Sequence, residues 1–147
     1  MSDKELIDYA KKLDIPNFNV YSIDELKSNS PDRNENGIIN FEERSSGGTH
    51  WVCYHINKND DYNYYFDSFG LPIQDETKKY LNKNKKEIII QTSSYQHPLS
   101  AMCGYYCLYV LRKLIEGETF ETIISKFNEN NQTQNDKLIK NYFRINF

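Results

Sequence analysis

The sequence predicts a single α+β domain, and three observations carry that expectation. Residues 102–117, MCGYYCLYVLRKLIEG, are apolar on nearly every side of a helix as far as Arg112, the pattern of a helix buried against other structure. The runs HWVCYHI, YNYYFDSF and EIIIQTS are rich in β-branched and aromatic residues and are separated by turn-forming or polar segments. Neither a linker nor an internal repeat divides the 147 residues. Residues 1–147 are therefore expected to fold as one unit, with a small, mainly antiparallel sheet packed on the buried helix.

In chain order, Leu6, Ile7, Ala10 and Leu13 recur at helical spacing, so residues 4–13 read as a short amphipathic helix that stops at the Ile15-Pro16 step. Ser22-Ile-Asp-Glu25 offers a capping box for a turn of helix, and SNSPDRNENG is loop by its Pro, Asn and Gly content. GIINFE (37–42) is β-like and RSSGG interrupts it. The three strand-like runs follow, with DETKKYLNKNKK between the second and third reading as an exposed helix. After the buried helix, closed at Gly117, Phe120, Ile123, Ile124 and Phe127 mark a further helix. The Asn/Gln-rich stretch 128–135 reads as a mobile loop.

Composition narrows the function. A net charge of −3 and a pI near 5.6 argue against a general polyanion binder, and the lysine cluster at 78–86 reads as a solvated face. No apolar run approaches the ~18 residues of a membrane span, and the N-terminal stretch lacks a signal-peptide core, so an intracellular, soluble protein is expected. Three cysteines, an odd number, point to free thiols in a reducing compartment.

Chemistry centres on QHPLSAMCGYYC (96–107). A cysteine is most simply a small buried apolar residue, and Cys107, one turn inside the helix, fits that role. Cys103 sits where a loop becomes the helix, so its sulfur meets free amides and the positive end of the dipole. Zinc would require additional ligands from His50, Cys53 and His55, and no CxxC or HExxH spacing exists; no metal is expected. A reactive thiol calls for an imidazole. His50 opens a strand at a loop edge, whereas His55 has the opposite face parity inside that strand and His97 adjoins Pro98. Asp67 ends the neighbouring strand, where it could accept the second imidazole N–H, although it serves equally as the start of a turn with Ser68 and Gly70. Gln96 could supply an oxyanion donor beside the Cys103 amide, and Gly104 leaves the backbone there uncrowded.

With His50, Asp67, Gln96 and Cys103 in that order, the chain resembles the adenain and SUMO-protease type of cysteine peptidase. GGTHW, YYFDSFG and QHPLSAMCG resemble that family's motifs around the histidine, the acid, and the glutamine and cysteine; the separations of 17 residues from His50 to Asp67 and seven from Gln96 to Cys103 also agree. The resemblance implies an α+β, papain-like fold of the adenain type, in which the helix begins at the nucleophile. It further implies Cys103 as nucleophile, His50 as base and acid, Asp67 as imidazole orienter, and Gln96 with the Cys103 amide as oxyanion hole. Trp51, Gly48 and Gly104 become substrate-binding, with Trp51 similar to the tryptophan that covers a Gly-Gly tunnel in SUMO proteases.

Within the family the chain looks most like maturation proteases of virophages and Maverick/Polinton elements. The expected task is cleavage of capsid or other virion precursors after small residues such as glycine, by a monomer without a cofactor, in the virion and the host cytoplasm or nucleus. A nucleic-acid cofactor, as in adenain, is possible but not favoured by the acidic total. No cysteine lies between Asp67 and Gln96, so adenain's covalent peptide activation is not expected. The alternatives are a protease that deconjugates a ubiquitin-like protein and, from another class, a non-catalytic or zinc-binding interaction module.

Overall fold

A computed structural model describes residues 1–42 and 50–144 of the chain. Helix α1 (Asp3–Lys12) starts at a reciprocal cap: Glu5 N–H donates to Ser2 Oγ while the Glu5 carboxylate accepts from Ser2 N–H. The helix buries Leu6 and Ala10 but leaves Ile7 exposed. It stops before the Ile15-Pro16 step because Asp14 takes a left-handed conformation, φ 53°.

Strand β1 (Phe18–Ser22) was not expected from the sequence; FNVYS is short and mixes polar with apolar residues. The Ser22–Glu25 capping box does form and opens a 3-10 helix, Ile23–Ser28. Strands β2 (Glu35–Asn40), β3 (Trp51–Ile56) and β4 (Tyr62–Phe66) follow, then helix α2 (Asp75–Asn82) and strand β5 (Glu87–Ile90). The five strands lie in chain order. β3 pairs antiparallel with both β2 and β4, whereas the edge strands β1 and β5 pair parallel with β2 and β4. The centre is thus antiparallel as expected. The edges differ because the 3-10 helix and α2 form crossovers, which bring the chain back in the same direction.

Both faces of the sheet are covered, so all six positions of β3 are buried and WVCYHI needs no apolar–polar alternation. Trp51 and Cys53 point to one side, into a core built with helices α3 (Cys103–Ile115), α4 (Phe120–Ser125) and α5 (Gln132–Phe143), and with α1. Val52, Tyr54 and Ile56 point to the other, against α2 and the 3-10 helix. α2 is accordingly not simply exposed: Thr77, Tyr80 and Leu81 are buried.

The stretch 128–135 departs from the expected mobile loop. Asn131 caps α5 by accepting from Gln134 N–H, and the buried Asn135 side chain donates to the carbonyls of Asn128 and Tyr95. Its asparagines satisfy backbone groups that a run of apolar residues could not, so polar composition here encodes a cap and a clamp.

Gly37 of β2 lies opposite Tyr54, whose ring occupies the space of the missing Cβ; an added Cβ would fall 2.1 Å from ring atoms. The Tyr54 and Tyr80 hydroxyls both donate to the buried Glu35 carboxylate, at 2.5 Å each. Gly37→Ala must move that ring and its bond together, so a loss of about 3 kcal/mol is expected. Urea denaturation monitored by circular dichroism measures it, and a change below about 0.5 kcal/mol would contradict the packing argument.

Candidate active site

The site is assembled at the mouth of α3. Its N-cap, Met102, has no side-chain cap, and Cys103 is the first helical residue. The start of β3 is fastened to this helix: Trp51 N–H donates to Cys103 Sγ at 3.4 Å, and Cys107 Sγ–H donates to the Trp51 carbonyl at 3.5 Å. That pairing brings the residue before Trp51, His50, to the helix mouth. The three cysteines form no disulfide, and burial pushes the Cys107 thiol well up from its usual range.

His50 Nε2–H donates to Asp67 Oδ1 at 2.8 Å, and its side chain is 15% exposed. The imidazole lies between two rings, Phe69 at 4.9 Å and Phe41 at 5.4 Å between centroids. Nδ1 is buried and makes no hydrogen bond of ordinary geometry with the described residues. Burial opposes charge on the ring. The hydrogen bond to Asp67 and the closeness of Cys103 outweigh it and raise the pKa to about 9. His55 is the opposite case: it is bonded to Asn36 Oδ1 at 2.6 Å, and burial lowers its pKa to about 4. The two histidines of this strand segment therefore stay in different protonation states at neutral pH.

Asp67 is fully buried below the cleft, where the turn after β4 wraps its carboxylate. Oδ1 also accepts from Phe69 N–H at 2.9 Å, and Oδ2 accepts from Leu71 N–H at 3.2 Å. Gly70 closes the turn at φ +66°, within van der Waals reach of the Ser93 backbone, a position no side chain could share. Asp67 is thus both turn former and imidazole partner, the two uses that the sequence left open.

Gln96 is fully buried in the wall of the same cleft. Its Oε1 accepts from Ser68 Oγ–H at 2.6 Å, and Nε2 donates to the Ser100 carbonyl at 2.8 Å and to Ser100 Oγ at 3.1 Å. His50, Gln96 and Cys103 line one cleft of about 270 Å³, with Trp51, Phe69 and Met1 among its other walls. A larger groove, about 770 Å³, lies between residues 90–95 and α4 and contains none of these residues.

Trp51 is buried, and its indole N–H donates to the Met1 carbonyl at 3.1 Å. Gly104 is packed rather than open: a Cβ there would meet Met1 Sδ at 3.1 Å, Leu6 at 3.3 Å and Trp51 at 3.4 Å, so glycine lets α1 seat on α3. Gly48 lies outside the described residues. Reading the sequence missed Met1, Phe41, Phe69 and Ser68, because each reaches the site through contacts between segments that no local pattern announces. Among the described residues, no three His, Cys, Asp or Glu side chains are grouped to hold a metal ion, and no helix is long and apolar enough to cross a membrane.

A model of the adenovirus endoprotease family matches residues 28–93, a span that contains His50 and Asp67 and ends before Gln96. The protease of Human adenovirus B serotype 3 is 28% identical over 102 residues, covering 58% of this chain and 48% of that protein. A thiol protease of Acanthamoeba polyphaga mimivirus is 31% identical over 111 residues, 67% of this chain and 36% of that protein. The chain thus spans half or less of the curated relatives' length. Among solved structures, an ASFV protease superimposes with a TM-score of 0.67 at 13% identity, covering 92% of this chain and 66% of that one. SUMO protease Ulp1, with its catalytic cysteine oxidised, gives 0.56 at 15%, covering 82% and 68%. These structural likenesses speak to the fold, and the sequence matches to a similarity with viral proteases over part of their length. The chain is therefore similar in sequence to viral cysteine proteases over part of their length, and similar in fold to the ASFV protease and to SUMO protease Ulp1.

Proposed function

We propose that the chain is a cysteine endopeptidase that cleaves virion precursor proteins after small residues such as glycine. The observation that carries this reading is the convergence of four groups from distant segments: an Asp67-bonded His50, Gln96 and Cys103 at one cleft at the mouth of α3. In the proposed cycle, the Cys103 thiolate attacks the scissile carbonyl carbon and the C=O electron pair moves onto oxygen. Gln96 Nε2–H and the Cys103 amide stabilise that oxyanion. Collapse breaks the C–N bond as His50 gives its proton to the leaving amine, which leaves a thioester. Water then adds to the thioester, His50 takes its proton, and the second collapse releases the carboxylic product and the thiolate.

The narrowness of the cleft, walled by Trp51 and Met1, supports small side chains beside the scissile bond. The viral proteases among the relatives support virion precursors as substrates. The Ulp1-like fold supports a second reading, removal of a ubiquitin-like protein that ends in Gly-Gly. On either reading, Cys103, His50, Asp67 and Gln96 keep the same roles, and no cofactor takes part. The chain is proposed to act as a monomeric single domain in the infected cell or the virion.

Internally quenched peptides that differ only at the residue before the scissile bond test specificity. Cleavage after glycine is expected to exceed cleavage after phenylalanine by about a hundredfold, since the larger ring must displace a buried wall. Equal rates would reject the small-residue reading. An electrophilic ubiquitin-like probe run in parallel separates the two substrate classes: rapid labelling together with intact capsid precursors favours deconjugation.

A further inference from the structure

The turn that follows β4 presents two consecutive side chains to two different parts of the site. Asp67 holds the imidazole. Its neighbour Ser68, also fully buried, donates its hydroxyl proton to Gln96 Oε1 at 2.6 Å. The Ser68 carbonyl accepts from the amides of both Tyr95 and Gln96, at 2.8 and 3.0 Å, so backbone and side chain fix the same residue from the same point. We infer that Ser68 is a positioning residue for the oxyanion hole: its hydroxyl anchors Gln96 Oε1 in the orientation that the Ser100 carbonyl selects, and so holds the amide in place beside the reacting carbonyl.

The physical reason is the near symmetry of a primary amide. Oxygen and NH2 have almost the same shape, so packing alone does not decide between an orientation that offers a donor to an oxyanion and one that offers a repelling carbonyl. At Gln96 the Ser100 carbonyl, which can only accept, takes one Nε2 proton. This leaves Oε1 on the side of Ser68, where the hydroxyl must donate. The second Nε2 proton is held by Ser100 Oγ at the longer distance of 3.1 Å, the bond most readily exchanged for one to a developing oxyanion. Without the Ser68 hydroxyl, Oε1 would be a buried acceptor with no donor, and the amide would be held only by its Nε2 bonds to Ser100, the longer of which it must give up to meet the oxyanion. The two residues at the end of one strand thus orient both the proton-transfer group and the oxyanion donor.

This inference rests on the proposed role of Gln96, and the experiment separates the two. Four proteins are compared: wild type, Ser68→Ala, Gln96→Ala and the double variant, each assayed for kcat, KM and the rate of Cys103 alkylation by iodoacetamide. Alkylation needs the thiolate and its histidine but generates no oxyanion. Gln96→Ala is expected to lower kcat about a hundredfold; if it retains the full rate, the oxyanion role of Gln96 fails, and the role of Ser68 fails with it. Ser68→Ala is expected to lower kcat by about ten- to a hundredfold with KM and alkylation within about twofold of wild type, and the double variant is expected to be no slower than Gln96→Ala alone. A wild-type kcat in Ser68→Ala, multiplicative losses in the double variant, or alkylation that slows in step with kcat would each overturn the Ser68 inference while leaving Gln96 standing. If Ser68→Ala loses its native circular dichroism, Ser68→Cys, close in shape and a weaker donor, enters the same cycle in its place.

Discussion

Cys103→Ala is expected to abolish peptide cleavage, with a loss of about 10⁴-fold or more in kcat/KM, while the protein stays folded. The two halves of that result have separate origins. Cys103 occupies the mouth of α3 and is 7% exposed, and its sulfur receives a long hydrogen bond from the Trp51 amide and lies against His50. Losing one sulfur there should cost about 1 kcal/mol of stability, a small fraction of a domain's total. The chemistry has no substitute, because the other two thiols are sealed in the core and Cys107 is pushed away from ionisation by burial. Cys107→Ala is the matched control: it alters the neighbouring turn and the bond to the Trp51 carbonyl, and cleavage should stay within a few-fold of wild type. Active-site titration with an alkylating agent, together with thermal denaturation of both variants, makes the measurement. A Cys103→Ala protein that cleaves at a hundredth of the wild-type rate would place the nucleophile elsewhere.

Reading the sequence succeeded where one physical requirement leaves a local mark. The α3 helix had to be apolar all round because sheet, α1, α4 and α5 enclose it, and MCGYYCLYVLRKLIEG says so directly. His50, Asp67, Gln96 and Cys103 were picked out by residue type and by their order, which resembles that of a known family; the structure bonds His50 to Asp67 and lines one cleft with His50, Gln96 and Cys103. What stayed hidden depends on contacts between distant segments. Met1 reaches the cleft only because α1 seats against Gly104, and Phe69 covers His50 only because the turn after Asp67 folds back over it. Asn135 looked like part of a mobile polar stretch because composition cannot reveal that the Tyr95 and Asn128 carbonyls wait for a donor there. The parallel edge strands were missed for a related reason: strand pattern gives the face of each residue but not the direction of the neighbour.

Asp67→Asn is expected to lower kcat/KM by about 10²- to 10⁴-fold and to move the alkaline limb of the pH–rate profile downward. In the wild type, burial works against a charged His50, and the bond to Asp67 is the largest of the influences that overcome it and bring the pKa to about 9. The proton that His50 must give to the leaving amine is present below that value and is lost as pH rises through it, so the wild-type alkaline limb should fall near pH 9. Asparagine is the same shape but cannot do the same work. Its single oxygen can keep the bonds from His50 and Phe69, but the amide NH2 then faces the Leu71 N–H, two donors in contact; flipped, it faces the imidazole N–H instead. Either way the carboxylate charge is gone and burial acts with less opposition, so His50 loses its proton at a lower pH. Stability gives a second reading with a fixed sign. Because the folded pKa of His50 lies above its usual 6.5, the Asp67–imidazolium pair stabilises the wild type fully below about pH 6.5, and that contribution disappears as pH rises through about 9. Denaturation at pH 6.5 and pH 9.5 should therefore show a loss in the wild type that is much smaller in Asp67→Asn. An unmoved alkaline limb in the variant would mean that Asp67 acts as a turn former alone, and the orientation of His50 would have to be credited to the rings of Phe41 and Phe69 that enclose it.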